Sequence, residues 1–218
     1  MHNAQEEQSS FSLQGDIPHH QSVPKLMRTL TSCMEYVITT IDITQTERLI
    51  QEILNAEHIY LSGAGRSGYV AKSFAMRLTH LRLDAFVVGE TVTPAFKPRD
   101  LLIAFSGSGK TLSTVKGCQK AKEIGGRVCV ITSHENSPLA TLADCIVVLN
   151  TETIDHAEDD FEIRQLTGKH RSMAAPVAPL ATLFETAALI LSDATIAAIM
   201  EIKHRNISDV EQRFPNLQ

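Results

Sequence analysis

The apolar positions of the first part of the chain follow a helical period. From Pro24 onward, apolar side chains recur at three- and four-residue spacing, at Leu26, Leu30, Met34, Val37, Ile38 and Ile41. Thr44 and Glu47 have the spacing of a capping box, which predicts that a second helix begins there and ends at Asn55 or Ala56. The pattern therefore predicts two amphipathic helices ahead of the first strand.

The middle of the chain alternates short apolar runs with helical patterns. The predicted strands are 58–62, 85–88, 101–105, 127–132 and 145–149, and a loop at 89–99 separates the second from the third. The predicted helices between strands are 66–82, 111–124 and a short one at 138–143. Because the strands are continuously apolar, helices should cover both sheet faces. The pattern predicts a three-layer α/β/α fold with a parallel sheet.

Three segments depart from this alternation. Residues 1–22 are rich in Gln, Ser and His, which predicts a flexible N-terminal arm ahead of a single domain at 23–218. Residues 150–172 form a charged connection, either a functional lid or a mobile loop. An apolar helix from about 180 to 203 and a short polar tail helix to Phe214-Pro215 complete the prediction.

Composition narrows the class of partner. The chain has 218 residues, 43% of them hydrophobic, and a net charge of −5 with its basic residues dispersed. A nucleic-acid surface needs a basic face, so we expect a small-molecule partner and no nucleic acid. The four cysteines lack metal-site spacing and are expected to be reduced core residues. No apolar run reaches the roughly 18 residues of a membrane span and no signal pattern opens the chain, so we expect a cytoplasmic protein without membrane contact.

Two glycine-rich loops carry the candidate chemistry. Each follows a predicted strand and precedes a predicted helix, an arrangement that points backbone N–H groups at an anion. The candidate substrate-binding residues are Ser62, Gly63, Gly65, Arg66 and Ser67 in the first loop, Glu90 and Thr91 after the second strand, and Ser106, Gly107, Ser108, Gly109 and Thr111 in the second loop. Two such loops predict a ligand with a phosphate and further polar groups.

Two nucleotide-binding interpretations are weaker. Gly63-x-Gly65-x-x-Gly68 with Glu90 matches a dinucleotide fingerprint, but that strand follows two helices and the second loop would have no role. The second loop fits a relaxed Walker A motif only if Ala104 replaces its first glycine, and no later strand ends in a magnesium-binding aspartate. A sugar-phosphate site uses both loops.

Five motifs in order resemble the 6-phospho-3-hexuloisomerase family of the sugar isomerase (SIS) domain superfamily. They are Gly63-Ala64-Gly65-Arg66-Ser67-Gly68, the segment Phe74–Leu81, the segment Val88–Ala95, Ser106-Gly107-Ser108-Gly109-x-Thr111, and Leu183-Phe184-Glu185-x-Ala187 with Asp193. The resemblance covers about residues 30–149 and 180–217. It implies a flavodoxin-like five-stranded parallel sheet, a homo-oligomer (tetramer or dimer), and conversion of 3-hexulose 6-phosphate to fructose 6-phosphate without metal or cofactor. The family's C-terminal Arg-His-x-Asn-Leu stands here as residues 213–217 with Phe214 at the histidine position.

Glu185 and His80 are the catalytic candidates. Glu185 lies in an apolar helix start, where desolvation would raise its pKa toward that of a general base, although a helix N-terminus also favours a purely structural carboxylate. His80 ends the helix that the first loop begins, where a histidine can also stabilise the helix dipole. An isomerase of another phosphosugar, or a non-catalytic sugar-phosphate-binding module, would share the same loops. Excess apolar surface on the first helix and on 180–203 predicts a homo-oligomer in which a neighbour supplies some site residues.

Overall fold

The computed structural model describes residues 23–151 and 182–204. The predicted arm at 1–22, nearly all of the charged connection and the tail helix lie outside these ranges. In order, the described elements are α1 (Val23–Thr40), α2 (Ile43–Asn55), β1 (Ile59–Gly63), α3 (Arg66–His80), β2 (Ala85–Val87), β3 (Leu101–Phe105), α4 (Leu112–Ile124), β4 (Arg127–Thr132), a 3-10 turn (Ala140–Leu142), β5 (Cys145–Val148) and α5 (Thr182–Ile202).

The five strands form one parallel sheet in the order β2-β1-β3-β4-β5, which confirms the predicted sheet. In register, Ile59 of β1 lies between Ala85 of β2 and Leu101 of β3. From β1 the chain crosses to β2 on one side, and from β2 it crosses to β3 on the other side of β1. The carboxyl ends of β1 and β3 therefore lie side by side where the strand order reverses. Ligands of open parallel sheets bind at such a switch point.

Helices cover both faces of the sheet, which confirms the three-layer α/β/α fold. On one face, α1, α2, α3 and α5 bury the larger apolar cluster, which contains Leu61, Phe105 and Phe184. On the other face, α4 and the 3-10 turn cover a smaller cluster that contains Leu102 and Val130. Every residue of β3 is buried, because this central strand has a packed layer on each side.

The predicted start of α2 is wrong. The helix begins at Ile43 with Asp42 as its N-cap, whose carboxylate accepts hydrogen bonds from the Thr44 backbone N and the Thr44 hydroxyl, both at 2.7 Å. These bonds lower the pKa of Asp42. Asp42, two residues before Thr44, is the N-cap acceptor. The Thr44 hydroxyl donates to Asp42 and does not cap the helix itself.

Other boundaries also differ from the prediction. β1 covers Ile59–Gly63, one residue later than predicted, and β5 ends at Val148. α3 ends at His80 because Leu81 donates to the carbonyls of both Arg77 and Leu78 and Arg82 has a positive φ of 63°. The short helix predicted at 138–143 is the 3-10 turn Ala140–Leu142.

α5 bears on the expectation that the protein has no membrane contact. Leu183–Ile202 is long and apolar enough to cross a membrane, judged by length and composition alone, and half of it is buried within the fold. The helix packs against α3, α1 and α2, and its first turn carries Glu185. A core helix passes the same test of length and composition, because it too is apolar over much of its surface.

All four cysteines are free, and Cys118, Cys129 and Cys145 are buried as expected of core residues.

Candidate functional site

The first loop joins β1 to α3 through close backbone contacts. A Cβ atom at Gly63 would lie 2.8 Å from the Ser67 carbonyl group, and one at Gly68 would lie 2.8 Å from the Gly63 carbonyl oxygen. Gly65 has a φ of 56° and occupies the N-cap position of α3 without a side-chain cap. The first-turn N–H groups of α3 are therefore presented without a side-chain acceptor, as in an anion-binding helix terminus.

The second loop is held by its own hydroxyl groups. Ser106 Oγ accepts from the Gly109 backbone N at 3.2 Å and lies 3.1 Å from Thr111 Oγ1, and both hydroxyls are buried. Ser108 Oγ accepts from the Lys110 backbone N at 3.3 Å. Thr111 is the N-cap residue of α4 and makes no side-chain cap bond, so the N-terminus of α4 faces the loop interior without its own acceptor. The loop is thus preformed before any ligand binds.

Two glycines of this loop lie in close contact with other segments. Gly109 has a φ of 63°, and a Cβ atom there would overlap Ser137 Oγ at 2.2 Å. A Cβ atom at Gly107 would lie 3.1 Å from Cγ of the Phe184 ring. Phe184 is fully buried. The start of α5 therefore packs directly on the second loop, and the next residue of α5 is Glu185.

The structure brings Glu185 to the first loop. Glu185 is 8% exposed, and its Oε1 accepts from Ser67 Oγ at 3.2 Å. Its Oε2 lies 3.6 Å from Nε of Arg66, whose side chain is 60% exposed. Burial raises the pKa of Glu185, and the contacts with Ser67 and Arg66 oppose that rise. A buried carboxyl with a raised pKa, beside two glycine-rich loops, is suited to proton transfer.

The other predicted residues lie outside this cluster. His80 ends α3, whose first turn holds Ser67, and this helix of 15 residues places its two ends roughly 20 Å apart. Burial and the nearby Arg77 lower the pKa of His80. Glu90 is exposed and pairs with Lys72 at 2.6 Å, and Thr91 beside it is exposed. Within one chain, the structure does not place His80 near Glu185.

Polar residues at and after the carboxyl ends of β4 and β5 also belong to this edge, and the sequence analysis did not select them. Thr132 Oγ1 donates to the Gly107 carbonyl at 3.2 Å, and Ser133 Oγ lies 2.5 Å from Thr151 Oγ1. Ser137 is buried against Gly109. Their signal was the change from apolar to hydroxyl-bearing residues at the strand ends, which a search for glycine loops passes over. Within residues 23–151 and 182–204, no three His, Cys, Asp or Glu side chains are grouped to hold a metal ion.

Comparisons with known proteins agree with this architecture. The SIS domain family matches residues 52–159. A relative from Archaeoglobus fulgidus, described as an uncharacterized protein, is 42% identical over 82% of this chain and 90% of its own length. The 3-hexulose-6-phosphate isomerase of Bacillus subtilis is 34% identical over 80% of this chain and 87% of its own.

A solved structure shows the same fold. A hypothetical protein of Methanococcus jannaschii, whose structure has been used to infer a function as 3-hexulose-6-phosphate isomerase, is 31% identical and superposes with a TM-score of 0.70. The superposition covers 88% of this chain and 98% of the other.

Proposed function

This chain belongs to the SIS domain family, and from that premise we propose that it is a cytoplasmic sugar-phosphate isomerase that interconverts 3-hexulose 6-phosphate and fructose 6-phosphate. The observation that carries the proposal is the placement of Glu185, a buried carboxyl with a raised pKa beside the first loop and one residue from the contact with the second. The two relatives named or inferred to be 3-hexulose-6-phosphate isomerases support the choice of substrate.

The second loop is the proposed phosphate site. The N-terminus of α4 carries a partial positive charge, and the preformed loop Ser106–Thr111 curves in front of it. Ser108 and Thr111 supply hydroxyl donors, and Gly109 lets the backbone approach the ligand closely. A phosphate group in this position would receive charge-assisted hydrogen bonds without a rearrangement of the loop.

The reaction then needs one base and a set of donors. In 3-hexulose 6-phosphate the carbonyl is at C3, and Glu185 would remove the proton from C2 to give a 2,3-enediolate. Return of that proton to C3, with transfer of the hydroxyl proton from O2 to O3, leaves the carbonyl at C2 and yields fructose 6-phosphate. Ser62, Arg66 and the N-terminus of α3 lie at the first loop, where donors could stabilise the negative charge of the enediolate.

His80 can contribute only if the site is shared between copies of the chain. The length of α3 separates it from Glu185 within one copy. The proposed homo-oligomer would have to bring the C-terminal end of α3 from one copy to the first loop of another. Exposed apolar side chains on α1 and α5, among them Met27, Ile38 and Ile190, provide surface for such an assembly.

The experiment that tests the function is a coupled assay of the purified full-length chain with 3-hexulose 6-phosphate, alongside a panel of other ketose and aldose phosphates. We expect turnover of 3-hexulose 6-phosphate and exchange of its C2 hydrogen with deuterated water. Glu185→Gln keeps the shape of the side chain but cannot accept the proton, so turnover and exchange should fall by about 10²–10⁴ with ligand affinity retained.

Three results would contradict this proposal. Preferred turnover of another phosphosugar would reject the substrate. Exchange at the wild-type rate in Glu185→Gln would reject the base. A wild-type protein that binds fructose 6-phosphate but neither turns over nor exchanges any phosphosugar would be a binding module.

A further inference from the structure

The two carboxylate oxygens of Glu185 have different surroundings. Oε1 accepts a hydrogen bond from Ser67 Oγ at 3.2 Å. Oε2 is buried and has no hydrogen-bond donor among the described residues. Arg66 Nε approaches Oε2 to 3.6 Å, which is within ion-pair range but longer than a hydrogen bond. Among the described side chains, Ser67 is therefore the one that hydrogen-bonds the carboxylate, and it does so through Oε1.

We propose that Ser67 is a positioning residue, which holds the Glu185 carboxylate through Oε1 in the orientation from which it accepts the carbon-bound proton of the substrate. This inference rests on the proposed function and assigns a part of it that was open, namely what orients the base. It also changes the role expected for Ser67, which the sequence analysis placed among the substrate-binding residues. Its hydroxyl faces the base.

The position of the Ser67 hydroxyl is itself tightly constrained. Ser67 is buried in the first turn of α3, and its carbonyl group packs against Gly63 so closely that a Cβ atom there would lie 2.8 Å away. A serine side chain has a single torsion before its hydroxyl, so a fixed backbone leaves few positions for the donor. Phe184, packed on Gly107, holds the neighbouring residue of α5. Both partners of the hydrogen bond are thus attached to rigid elements.

The charges around Glu185 indicate how the hydrogen bond should affect its titration. α5 packs against α1, α2 and α3. Within the described residues, the cation paired with Glu185 is Arg66 of α3, and α1 and α2 contribute no ion pair to it. Burial raises the pKa of Glu185, whereas its own backbone N–H, the Ser67 hydroxyl and Arg66 lower it. Removal of the Ser67 hydroxyl should leave the effect of burial less opposed and raise the pKa further.

The test compares Ser67→Ala and Ser67→Thr with the control Ser192→Ala. Ser192 is also a buried serine, but its hydroxyl donates within α5 to the Ala188 carbonyl at 2.7 Å. Ser67→Ala should lower kcat roughly tenfold or more, because it removes a hydrogen bond to a charged group, while affinity for fructose 6-phosphate stays within about twofold. The acidic limb of the kcat profile should move to higher pH. Ser67→Thr, which keeps the hydroxyl, should recover most of the activity.

A second measurement does not depend on turnover. The Glu185 carboxyl can be titrated by carbon-13 NMR in the ligand-free, full-length protein, with Glu185→Gln used to assign the signal. Its midpoint should lie at higher pH in Ser67→Ala than in wild type and should be unchanged in Ser192→Ala. If Ser67→Ala does not fold, Ser67→Cys takes its place, since a thiol of similar size is a weak donor.

Each outcome decides the proposal. An unchanged midpoint, or a loss of fructose 6-phosphate affinity with kcat retained, would overturn it and return Ser67 to the substrate-binding residues. An inactive wild-type protein would overturn the proposed function and with it the catalytic part of this inference. A shifted midpoint in that same sample would still establish the hydrogen bond, so the two failures are distinguishable.

Discussion

Gly107→Ala tests whether the second loop and the catalytic base are mechanically linked. Gly107 lies in the loop, and the Phe184 ring presses against it from the start of α5. A Cβ atom at position 107 would be 3.1 Å from Phe184 Cγ, 3.2 Å from Cδ1 and 3.4 Å from its Cβ. Favourable carbon–carbon contacts are about 3.5–4.0 Å, so the ring or the loop must move by several tenths of an ångström.

The expected cost follows from this overlap. Phe184 is fully buried and has little freedom to rotate, and overpacking a core typically costs about 1–3 kcal/mol. Replacing glycine with alanine also restricts the unfolded chain, which returns about 0.4–1 kcal/mol where the backbone conformation suits alanine. A net loss of roughly 0.5–2 kcal/mol in the free energy of unfolding remains. Because Glu185 follows Phe184 in the chain, we also expect kcat to fall about three- to tenfold.

Gly117→Ala is the matched control. Gly117 lies within α4, and a Cβ atom there would meet nothing within 4 Å. The same chemical change should therefore stabilise the protein by about 0.5–1 kcal/mol and leave kcat unaltered. Denaturant unfolding and steady-state kinetics of both variants measure the two effects. If Gly107→Ala were as stable as Gly117→Ala, the contact would not be tight; if it lost stability but kept full kcat, the link to the base would be refuted.

Two further predictions concern the ligand and the base. Ser108→Ala and Thr111→Ala should each weaken binding of fructose 6-phosphate by more than tenfold, since a hydrogen bond to a charged group contributes ~1.5–3 kcal/mol. Inorganic phosphate should compete with fructose 6-phosphate for the same site. If calorimetry shows unchanged affinity in both variants, the second loop is not the phosphate site. Glu185→Gln should raise the melting temperature at neutral pH. Burial raises the pKa of Glu185 in the folded protein above its value in the unfolded chain. The contribution of this carboxyl to folding stability therefore falls as the pH rises from the unfolded pKa to the folded pKa. This increase in melting temperature should vanish at a pH below the pKa of an unfolded glutamate, about 4.3. An equal increase at neutral pH and below that pKa would contradict a raised pKa for Glu185.

The apolar pattern predicted the sheet because the strands are covered on both faces, so their sequences are nearly continuous runs of apolar residues. β3 is the clearest case, since all five of its residues are apolar and buried. The glycine loops were visible for a similar reason: Gly65 and Gly109 adopt positive φ values, and such positions select glycine strongly. Local constraints of this kind leave a direct trace in the sequence.

Contacts between distant segments leave a weaker trace. Ser67 and Glu185 are 118 residues apart, and nothing near either residue indicates that their side chains meet. His80 was a catalytic candidate at the far end of the helix begun by the first loop, and the length of α3 separates it from Glu185 within one chain. The start of α2 was misplaced because Thr44 and Asp42 both offer capping chemistry, and only the backbone geometry identifies the residue that caps.

Under the proposed function, binding and catalysis depend on different elements of this site. The loops are extensions of β1 and β3, the two adjacent strands at the switch point, and the hydroxyls of the second loop hold it in shape without Glu185. Glu185 comes from α5, which packs on one face of the sheet against α3, and the contacts of Phe184 and Ser67 hold its first turn beside the loops. A protein that kept the loops but lost the carboxyl would still bind a sugar phosphate. The chemistry that separates an isomerase from a sugar-phosphate sensor therefore resides in the first turn of α5, and substitutions there should change turnover far more than they change affinity.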